Sequence, residues 1–310
     1  MAKIEKTRVP VLLGPTAAGK SAIALRIAEE LELEIISCDS RQVYRHLDIG
    51  TAKPTLDEQK RVRHWLIDII DPDAAFSAHQ FAAMAREIIR DRAQAGRRVL
   101  LCGGTGFYFK ALSRGLGPVP GRDPELRKRF EKKAREEGAA SIFTELASVD
   151  PVAARKLHPH NVQKCIRALE VCYSTGKRFS DFQNQTELPD DLTFAAITVS
   201  LPRPELYRRI NERVDAMARN GLWEEFLSVR QRGYDQHSPG LRCVGYQELF
   251  AVEKGAISFE ETLDLIKLST RHYAKRQLTW LRHQVPGKQF NADTDFSIIK
   301  EWISGIAGSR

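Results

Sequence analysis

The sequence predicts an α/β fold in which helices cover both faces of a parallel β-sheet. The first observation is a series of short, nearly continuous apolar runs, as expected of strands that are buried on both faces. The second is the amphipathic pattern between these runs, which gives the strand–helix alternation of a parallel sheet with right-handed crossovers. The third is G-x-x-x-x-G-K-S at residues 14–21, a phosphate-binding loop (P-loop) of the kind that joins a strand to a helix.

The apolar runs predict five strands, at residues 9–13, 34–37, 65–70, 98–103 and 194–201. Among the amphipathic segments, residues 77–95 predict the clearest helix, because Ser77 is a suitable N-cap and Gly96 a suitable stop. After residue 203 the pattern predicts mostly helices.

The interval between the fourth and fifth predicted strands is about ninety residues, which is far too long for one crossover. It begins with a turn-rich stretch at 115–124 and continues with a highly charged helix and a second helix at 161–177. We interpret residues 116–198 as a helical insertion in a core made of residues 1–115 and 199–310. The far edge stays open, because the helix at 161–177 could equally be the core crossover.

The composition narrows the class of protein. The chain has 310 residues and a net charge of +8, which fits either a solvated surface or nucleic-acid binding. Its five cysteines are scattered and form no C-x-x-C pair, so we expect neither disulfides nor a zinc site and predict a cytoplasmic protein. No run of 18 apolar residues is present, so we expect no membrane span.

The phosphate loop predicts specific roles. Gly14 and Gly19 allow backbone N–H groups to close around phosphate oxygens, and the following helix adds its N-terminal dipole. Lys20 would reach the outer phosphates and the Ser21 hydroxyl would ligate Mg²⁺. The alternative is a glycine-rich turn without a ligand, which the strand–loop–helix context disfavours. Since the loop recognises phosphate oxygens and not their carrier, it does not by itself predict a kinase.

Two further residues follow predicted strands. Ligands bind beyond the carboxyl ends of strands in open α/β sheets, so Asp39 should lie near the phosphate loop. Its carboxylate could be a general base, a water-mediated partner of Mg²⁺ or merely a cap. Thr105, in a glycine-rich stretch at 103–109, is expected to face the same crevice, although glycines after strands are common. The only possible match to an acidic Walker-B strand is at 66–71, and no kinase catalytic loop is present.

Residues 270–283 predict a two-faced helix. Its basic side has Arg271, Lys275 and Arg282, and its apolar side Ala274, Leu278 and Leu281. The commoner interpretation is a solvated face over a core stripe. Nearby Arg242, Tyr246 and Trp280 leave base stacking open.

Six motifs in order resemble the bacterial tRNA dimethylallyltransferase family, also called tRNA isopentenyltransferases, along nearly the whole chain. They are GPTAAGKS (14–21), DSRQVY (39–44), DIGTAKP (48–54), GGTGFY (103–108), LRCVGYQ (241–247) and KRQLTWLR (275–282). The resemblance implies an adenylate-kinase-like P-loop core with a helical insertion. It also implies transfer of a dimethylallyl group from dimethylallyl diphosphate to N6 of the adenosine on the 3′ side of the tRNA anticodon, with release of diphosphate.

The departures from the family are modest. Ala18 and Ser21 stand where other members often have serine and threonine. The cysteine/histidine zinc-finger extension of eukaryotic relatives is not in the sequence, which favours a bacterial-type enzyme.

The resemblance also implies roles for site residues. Lys20, Asp39 and Thr105 are the predicted catalytic residues: Lys20 stabilises the leaving diphosphate, Asp39 takes the amine proton, and Thr105, like Thr16, helps to bind the diphosphate or to position the base. Mg²⁺ on Ser21 would assist Lys20. The predicted diphosphate-binding residues are Gly14, Pro15, Thr16, Ala17, Ala18, Gly19, Lys20, Ser21 and Arg213.

The predicted partner is the tRNA anticodon stem-loop, bound by a monomer, with the target adenine extruded into a channel. By the residue-by-residue match, tRNA contacts fall on Asp39, Ser40, Arg41, Gln42, Thr105, Arg127, Gln163, Lys164, Cys165, Ile166, Arg167, Arg242, Cys243, Val244, Gly245, Tyr246, Gln247, Lys275, Arg276, Gln277, Leu278, Thr279, Trp280, Leu281 and Arg282.

Three other functions compete with this one. A small-molecule kinase with the same loop would consume ATP. A prenyltransferase acting on free AMP or ATP would not need the basic C-terminal helices. A non-catalytic RNA-binding protein would have a degenerate loop, which the intact Lys20, Ser21 and Asp39 disfavour.

Overall fold

The computed structural model describes residues 6–183, 191–285 and 287–308. The chain divides into a core unit, Met1–Ser113 with Asp190–Arg310, and an inserted unit, Arg114–Pro189. The far boundary therefore differs from the interpretation of 116–198 as the insertion. The reason is that residues 192–200 form a strand that pairs along its length with the first strand of the core.

The core unit is built on a six-stranded sheet in which every pair of neighbouring strands is parallel, in the order β3-β2-β4-β1-β5-β6. The strands are β1 Thr7–Leu13, β2 Leu33–Cys38, β3 His64–Trp65, β4 Arg98–Gly103, β5 Leu192–Ser200 and β6 Gln289–Asn291. Residues 9–13 of β1 and 99–103 of β4 are all buried. Successive side chains of a strand point to opposite faces, so this burial means that both faces are covered. The predicted fold class is confirmed.

Two strands depart from the sequence prediction. The strand predicted at 65–70 is wrong beyond Trp65, because Leu66 and Asp68 adopt left-handed φ angles of 63° and 55° that a strand cannot contain. β6 was not predicted, since its three residues are too few to show a periodicity.

The first helices of the chain are α1 Lys20–Glu30, α2 Leu56–Arg61, α3 Ala78–Gln94 and α4 Gly106–Arg114. Of these, α1 packs against β2 and β4, and α3 packs against β4. The predicted cap of α3 is present: the Ser77 hydroxyl accepts from the backbone N–H of Gln80, whose side chain accepts from the backbone N–H of Ser77.

The inserted unit is helical, with α5 Pro124–Glu136, α6 Ala139–Val149, α7 Pro151–Lys156, α8 Val162–Thr175 and α9 Phe179–Gln183. Its apolar centre includes Phe130, Ile142 and Leu169. The buried carboxylate of Asp150 caps α7 at the backbone N–H of Ala153 and accepts two hydrogen bonds from Ser180, which ties α9 to α7.

The core unit resumes with β5 and then α10 Arg203–Arg219, α11 Leu222–Gln231, α12 Tyr246–Glu253, α13 Phe259–Gln284 and α14 Phe296–Gly308. An apolar cluster separate from the main sheet core packs the chain after β2 against α11, α12 and α13 through Val43, Leu47, Phe226, Tyr246 and Ile266. This cluster fixes the wall of the cavity described below. Within the described ranges, none of the helices has the length and apolar character needed to cross a membrane.

Candidate active site

A cavity of about 360 Å³ lies beyond the carboxyl ends of β1, β2 and β4 in the core unit. Its polar end includes residues of the phosphate loop and Asp39, together with Arg213 of α10. Its apolar side chains include Ile210, Val214, Met217, Leu222 and Ile266. The cavity therefore combines phosphate-binding groups with a hydrocarbon lining.

The phosphate loop, Gly14–Ser21, joins β1 to α1 as predicted, and its two glycines are required for different reasons. A Cβ at Gly14 would lie 2.6 Å from the carbonyl oxygen of Val199. Gly19, the N-cap of α1, has a left-handed φ of 80°, and Ala17 has a φ of 61°. The loop thereby turns sharply enough to aim the N-terminus of α1 at a bound anion.

Two cations and one carboxylate meet at the polar end. The surrounding protein lowers the pKa of Lys20 by desolvation, and Asp39 is among the groups that oppose this shift. Desolvation likewise lowers the pKa of Arg213, and Asp39 again opposes it. Both side chains are only partly accessible to solvent. Cations held in so little water attract an anion strongly.

Asp39 and Thr105 lie side by side because their strands, β2 and β4, are neighbours in the sheet. The Thr105 hydroxyl accepts from the backbone N–H of Ser40 at 3.0 Å, and the Thr105 N–H donates to the carbonyl of Cys38 at 3.1 Å. One Asp39 oxygen accepts from the backbone N–H of Arg41 at 2.8 Å. Asp39 is thus both a cap for the next segment and a charged group of the cavity.

Tyr273 of α13 lies in the same cavity and was not predicted. Burial raises the pKa of its phenol to about 12, and the charge of Asp39 adds to this shift. The nearby Thr105 side chain opposes part of this rise in the pKa. The phenol is therefore neutral at physiological pH and can donate a hydrogen bond.

The wall formed by Gly50, Thr51 and Ala52 is held by Glu225, a second residue that sequence reasoning missed. The Glu225 carboxylate accepts from the backbone N–H groups of residues 48, 49 and 50 at 2.8, 2.7 and 3.0 Å, and from the Tyr246 hydroxyl at 2.5 Å. A Cβ at Gly50 would lie 2.5 Å from the Tyr246 ring. The motif at 48–54 had no assigned role, and this close fit between the loop and α12 explains its glycine.

The possible Walker-B match at 66–71 has another role. The Asp68 carboxylate accepts from Lys53 at 2.5 Å, and the Asp71 carboxylate accepts from Arg45 at 3.1 Å. Neither aspartate lines the cavity. These carboxylates fasten the chain after β2.

The predicted tRNA contacts fall into two groups in the core unit. Those that line the cavity are Asp39, Ser40, Arg41, Gln42, Arg242, Cys243, Val244, Gly245, Gln247, Arg276 and Gln277. On the outside of α13, a cleft of about 710 Å³ is lined in part by Lys275, Arg276, Thr279 and Trp280. Lys275, Arg276, Thr279 and Arg282 are exposed.

Several residues that were predicted to contact RNA have side chains that face the protein interior. Tyr246 and Leu281 are buried in the core unit, and Cys165 and Ile166 are buried in the inserted unit. Leu278 packs against the main core. Arg271, which was predicted to lie on the basic side of this helix, instead donates to the Asn211 side chain at 2.7 Å. It thereby joins α13 to α10.

In the inserted unit, the predicted contacts converge on Glu170, a buried carboxylate. Arg167 donates to it at 2.6 Å, and Arg127 forms an ion pair with it at 3.7 Å while donating to Gln163. Gln163 and Lys164 are exposed. Arg127 and Arg167 are thus held in place by an internal carboxylate.

The residues fit a cation that relies on its ligand for most of its coordination. In the part of the chain that the structure describes, no three His, Cys, Asp or Glu side chains gather as a metal cage. Mg²⁺ typically keeps several waters and binds through one or two protein groups plus phosphate oxygens. Ser21 and Asp39, which line the same cavity, provide such a set.

The comparisons with known proteins agree with one another. The family model described as IPP transferase matches residues 42–284. A tRNA dimethylallyltransferase 1 of Trichlorobacter lovleyi is 46% identical over 291 residues, which cover 93% of this chain and 94% of that protein. The resemblance that the six motifs indicated is confirmed.

Solved structures give the same result. The tRNA isopentenylpyrophosphate transferase of Bacillus halodurans is 35% identical, with a TM-score of 0.69, and the match covers 98% of this chain and 97% of that one. A eukaryotic dimethylallyltransferase, captured acting on tRNA, has a TM-score of 0.73 over 89% of this chain and 70% of that one. At 24% identity, this last likeness concerns the fold.

Proposed function

Because the chain belongs to the IPP transferase family, we propose that it transfers a dimethylallyl group from dimethylallyl diphosphate to an adenosine of tRNA. The acceptor atom is the exocyclic N6, and the adenosine is the one next to the anticodon on its 3′ side. The enzyme works as a monomer in the cytoplasm, and its five free cysteines fit a reducing compartment.

The observation that carries this proposal is the two-sided lining of the cavity. A diphosphate fits the end with Lys20, Arg213 and the phosphate loop, and a five-carbon group fits the apolar side chains next to it. The phosphate loop alone fits many ligands. Its combination with an apolar lining favours a prenyl diphosphate over a nucleotide.

The reaction breaks the bond between the allylic carbon and the diphosphate oxygen and forms a bond from that carbon to N6. Negative charge grows on the departing diphosphate, where loop N–H groups, Lys20 and Arg213 stabilise it. When Mg²⁺ is bound at Ser21, it neutralises part of the same charge. These groups are already in place before the reaction, so little reorganisation is required.

The adenine amine is a weak nucleophile, because its lone pair is delocalised into the ring. Asp39 accepts the proton that the amine loses, acting as a general base. Thr105, which accepts from the backbone N–H beside Asp39, positions the base edge. A stacked adenine cannot reach this cavity, so it must be extruded from the anticodon loop.

The tRNA itself docks on the exposed basic side of α13 and on the segments 39–42 and 242–247. Lys275, Arg276 and Arg282 offer charge to phosphates, and Trp280 offers a surface on which a base can stack. In the inserted unit, Arg127, Gln163, Lys164 and Arg167 offer further contacts.

The test is incubation of the protein with tRNA, dimethylallyl diphosphate and Mg²⁺, followed by mass analysis of the nucleosides. We expect dimethylallyl-adenosine in tRNA and one diphosphate released for each. Transfer to free AMP with tRNA untouched would favour the adenylate prenyltransferase, and phosphoryl transfer from ATP would favour the kinase.

A further inference from the structure

The side chain of Gln277 connects two loops that are far apart in the sequence. Its amide oxygen accepts from the backbone N–H of Thr16, in the phosphate loop, at 2.9 Å. Its amide nitrogen donates to the carbonyl of Gly104, at the end of β4, also at 2.9 Å. Gln277 is only 8% exposed, so these bonds are made with little competition from water.

Gly104 leaves room for this amide because it has no side chain. A Cβ there would lie 2.5 Å from the Gln277 nitrogen and 3.0 Å from the carbonyl oxygen of Gly14. Contacts this short would displace the amide from the gap between the two loops. The sequence around Thr105 thus provides the space that the bridge requires.

Two other residues of α13 lie near the loop 104–106. Tyr273, one turn before Gln277, is close enough to the Thr105 side chain for that group to affect its pKa. Trp280, one turn after Gln277, packs so closely on Gly106 that a Cβ there would lie 2.2 Å from its ring. Spacings of four and three residues place all three on one face of the helix.

We propose that Gln277 is a positioning residue, which sets the distance between the phosphate loop and Thr105. This inference rests on the proposed transfer, in which the diphosphate lies on the first loop and the adenine beside the second. An error of about 1 Å between reacting groups can cost on the order of a hundredfold in rate. Gln277 therefore acts through Thr16 and Thr105 and not by touching RNA.

The position also connects RNA docking to chemistry. Lys275 and Arg276 precede Gln277 directly and are exposed, while Gln277 faces the two loops. A helix that docks tRNA on its outer side thus holds the diphosphate loop on its inner side.

The experiment compares wild type with Gln277→Met, which keeps the length of the side chain and removes both hydrogen bonds. Gln94→Met, at an exposed position of α3, is the matched control. Three quantities are measured: the dissociation constant of inorganic diphosphate, the dissociation constant of tRNA, and the single-turnover rate at saturating substrates. Thermal unfolding checks the fold of each protein.

We expect Gln277→Met to weaken diphosphate binding and to slow the single-turnover rate, together on the order of tenfold or more for two lost hydrogen bonds. The tRNA dissociation constant should stay within about twofold of wild type, given that Gln277 makes no RNA contact in this account. A rise in the tRNA dissociation constant alone would mean that Gln277 contacts RNA. If none of the three quantities changed, Gln277 would only fill space between the two loops. Either result overturns the proposal.

If Gln277→Met did not fold, Gln277→Asn would take its place, since it keeps the neutral amide and is one methylene too short to reach both loops. Diphosphate affinity and single-turnover rate must then fall together, with the tRNA dissociation constant unchanged. If wild type failed to modify tRNA, the proposed function would fall, and the diphosphate affinities would still decide whether Gln277 shapes the loop.

Discussion

Asp39 has two roles that one substitution can separate. Asp39→Asn retains an oxygen that can accept from the Arg41 N–H, so the cap is kept and the base is lost. We expect the single-turnover rate to fall on the order of 10²–10⁴-fold while the tRNA dissociation constant is unchanged. Rapid-quench measurement at saturating substrates checks this. A near-normal rate would remove Asp39 from proton transfer.

Lys20 is only partly accessible to solvent, and this desolvation lowers its pKa. Lys20→Met preserves the aliphatic length and removes the charge. We expect weaker binding of inorganic diphosphate and slower turnover together, because the same charge serves the bound and the leaving diphosphate. Titration of diphosphate by calorimetry is the measurement. Equal diphosphate affinities of wild type and variant would mean that the phosphates do not bind at Lys20.

At the scale of elements, the loop 48–50 depends on Glu225 of α11. Glu225→Gln leaves an amide N–H₂ facing hydrogen-bond donors, so at least one partly buried backbone N–H loses its acceptor. We expect a loss of about 1–3 kcal/mol in the free energy of unfolding, with poorer donor binding because the cavity wall loosens. Denaturant unfolding beside Glu224→Gln, the exposed neighbour, measures it. Identical curves for the two variants would show that the loop is held by other contacts.

The outer side of α13 should bind RNA phosphates. Lys275→Glu or Arg282→Glu is expected to raise the tRNA dissociation constant and to flatten its dependence on log salt by about one unit. The rate at saturating tRNA should remain nearly intact. Titrations at several salt concentrations test this, with Arg97→Glu as control, because Arg97 precedes β4 and so lies at the opposite end of that strand from the cavity. An unchanged salt slope would make this an ordinary solvated face.

In the molecule as a whole, the sequence predicted those strands and helices that are marked by a continuous apolar run or by a capping residue. Continuous apolar runs found β1, β2, β4 and β5, and the Ser77 cap found the start of α3. The apolar run after Trp65 was misleading, because Leu66 is buried in a left-handed conformation, and Ile69 and Ile70 pack against the cluster around Val43 without extending β3. Only pairing with β1 shows that the chain re-enters the core at β5.

Site residues that belong to a short motif could be predicted from the sequence. Residues that only folding brings together could not. The phosphate loop, Asp39 and Thr105 were found from position after a strand. Glu225 and Gln277 were not assigned their roles, since each acts by contacting backbone groups more than 170 residues away. The burial of the Tyr246 and Leu281 side chains could not be foreseen, because a family segment does not say which of its residues face inward.

The central claim is that the phosphate loop holds an allylic diphosphate and not a nucleotide. Calorimetric titration with dimethylallyl thiodiphosphate, an analogue that leaves poorly, measures this without tRNA and without turnover. If the phosphate loop holds an allylic diphosphate, we expect one binding site for the thiodiphosphate. Inorganic diphosphate should compete for this site, Lys20→Met should weaken it, and ATP should bind there only weakly. Tight binding of ATP that the thiodiphosphate cannot displace would contradict this assignment of the phosphate loop.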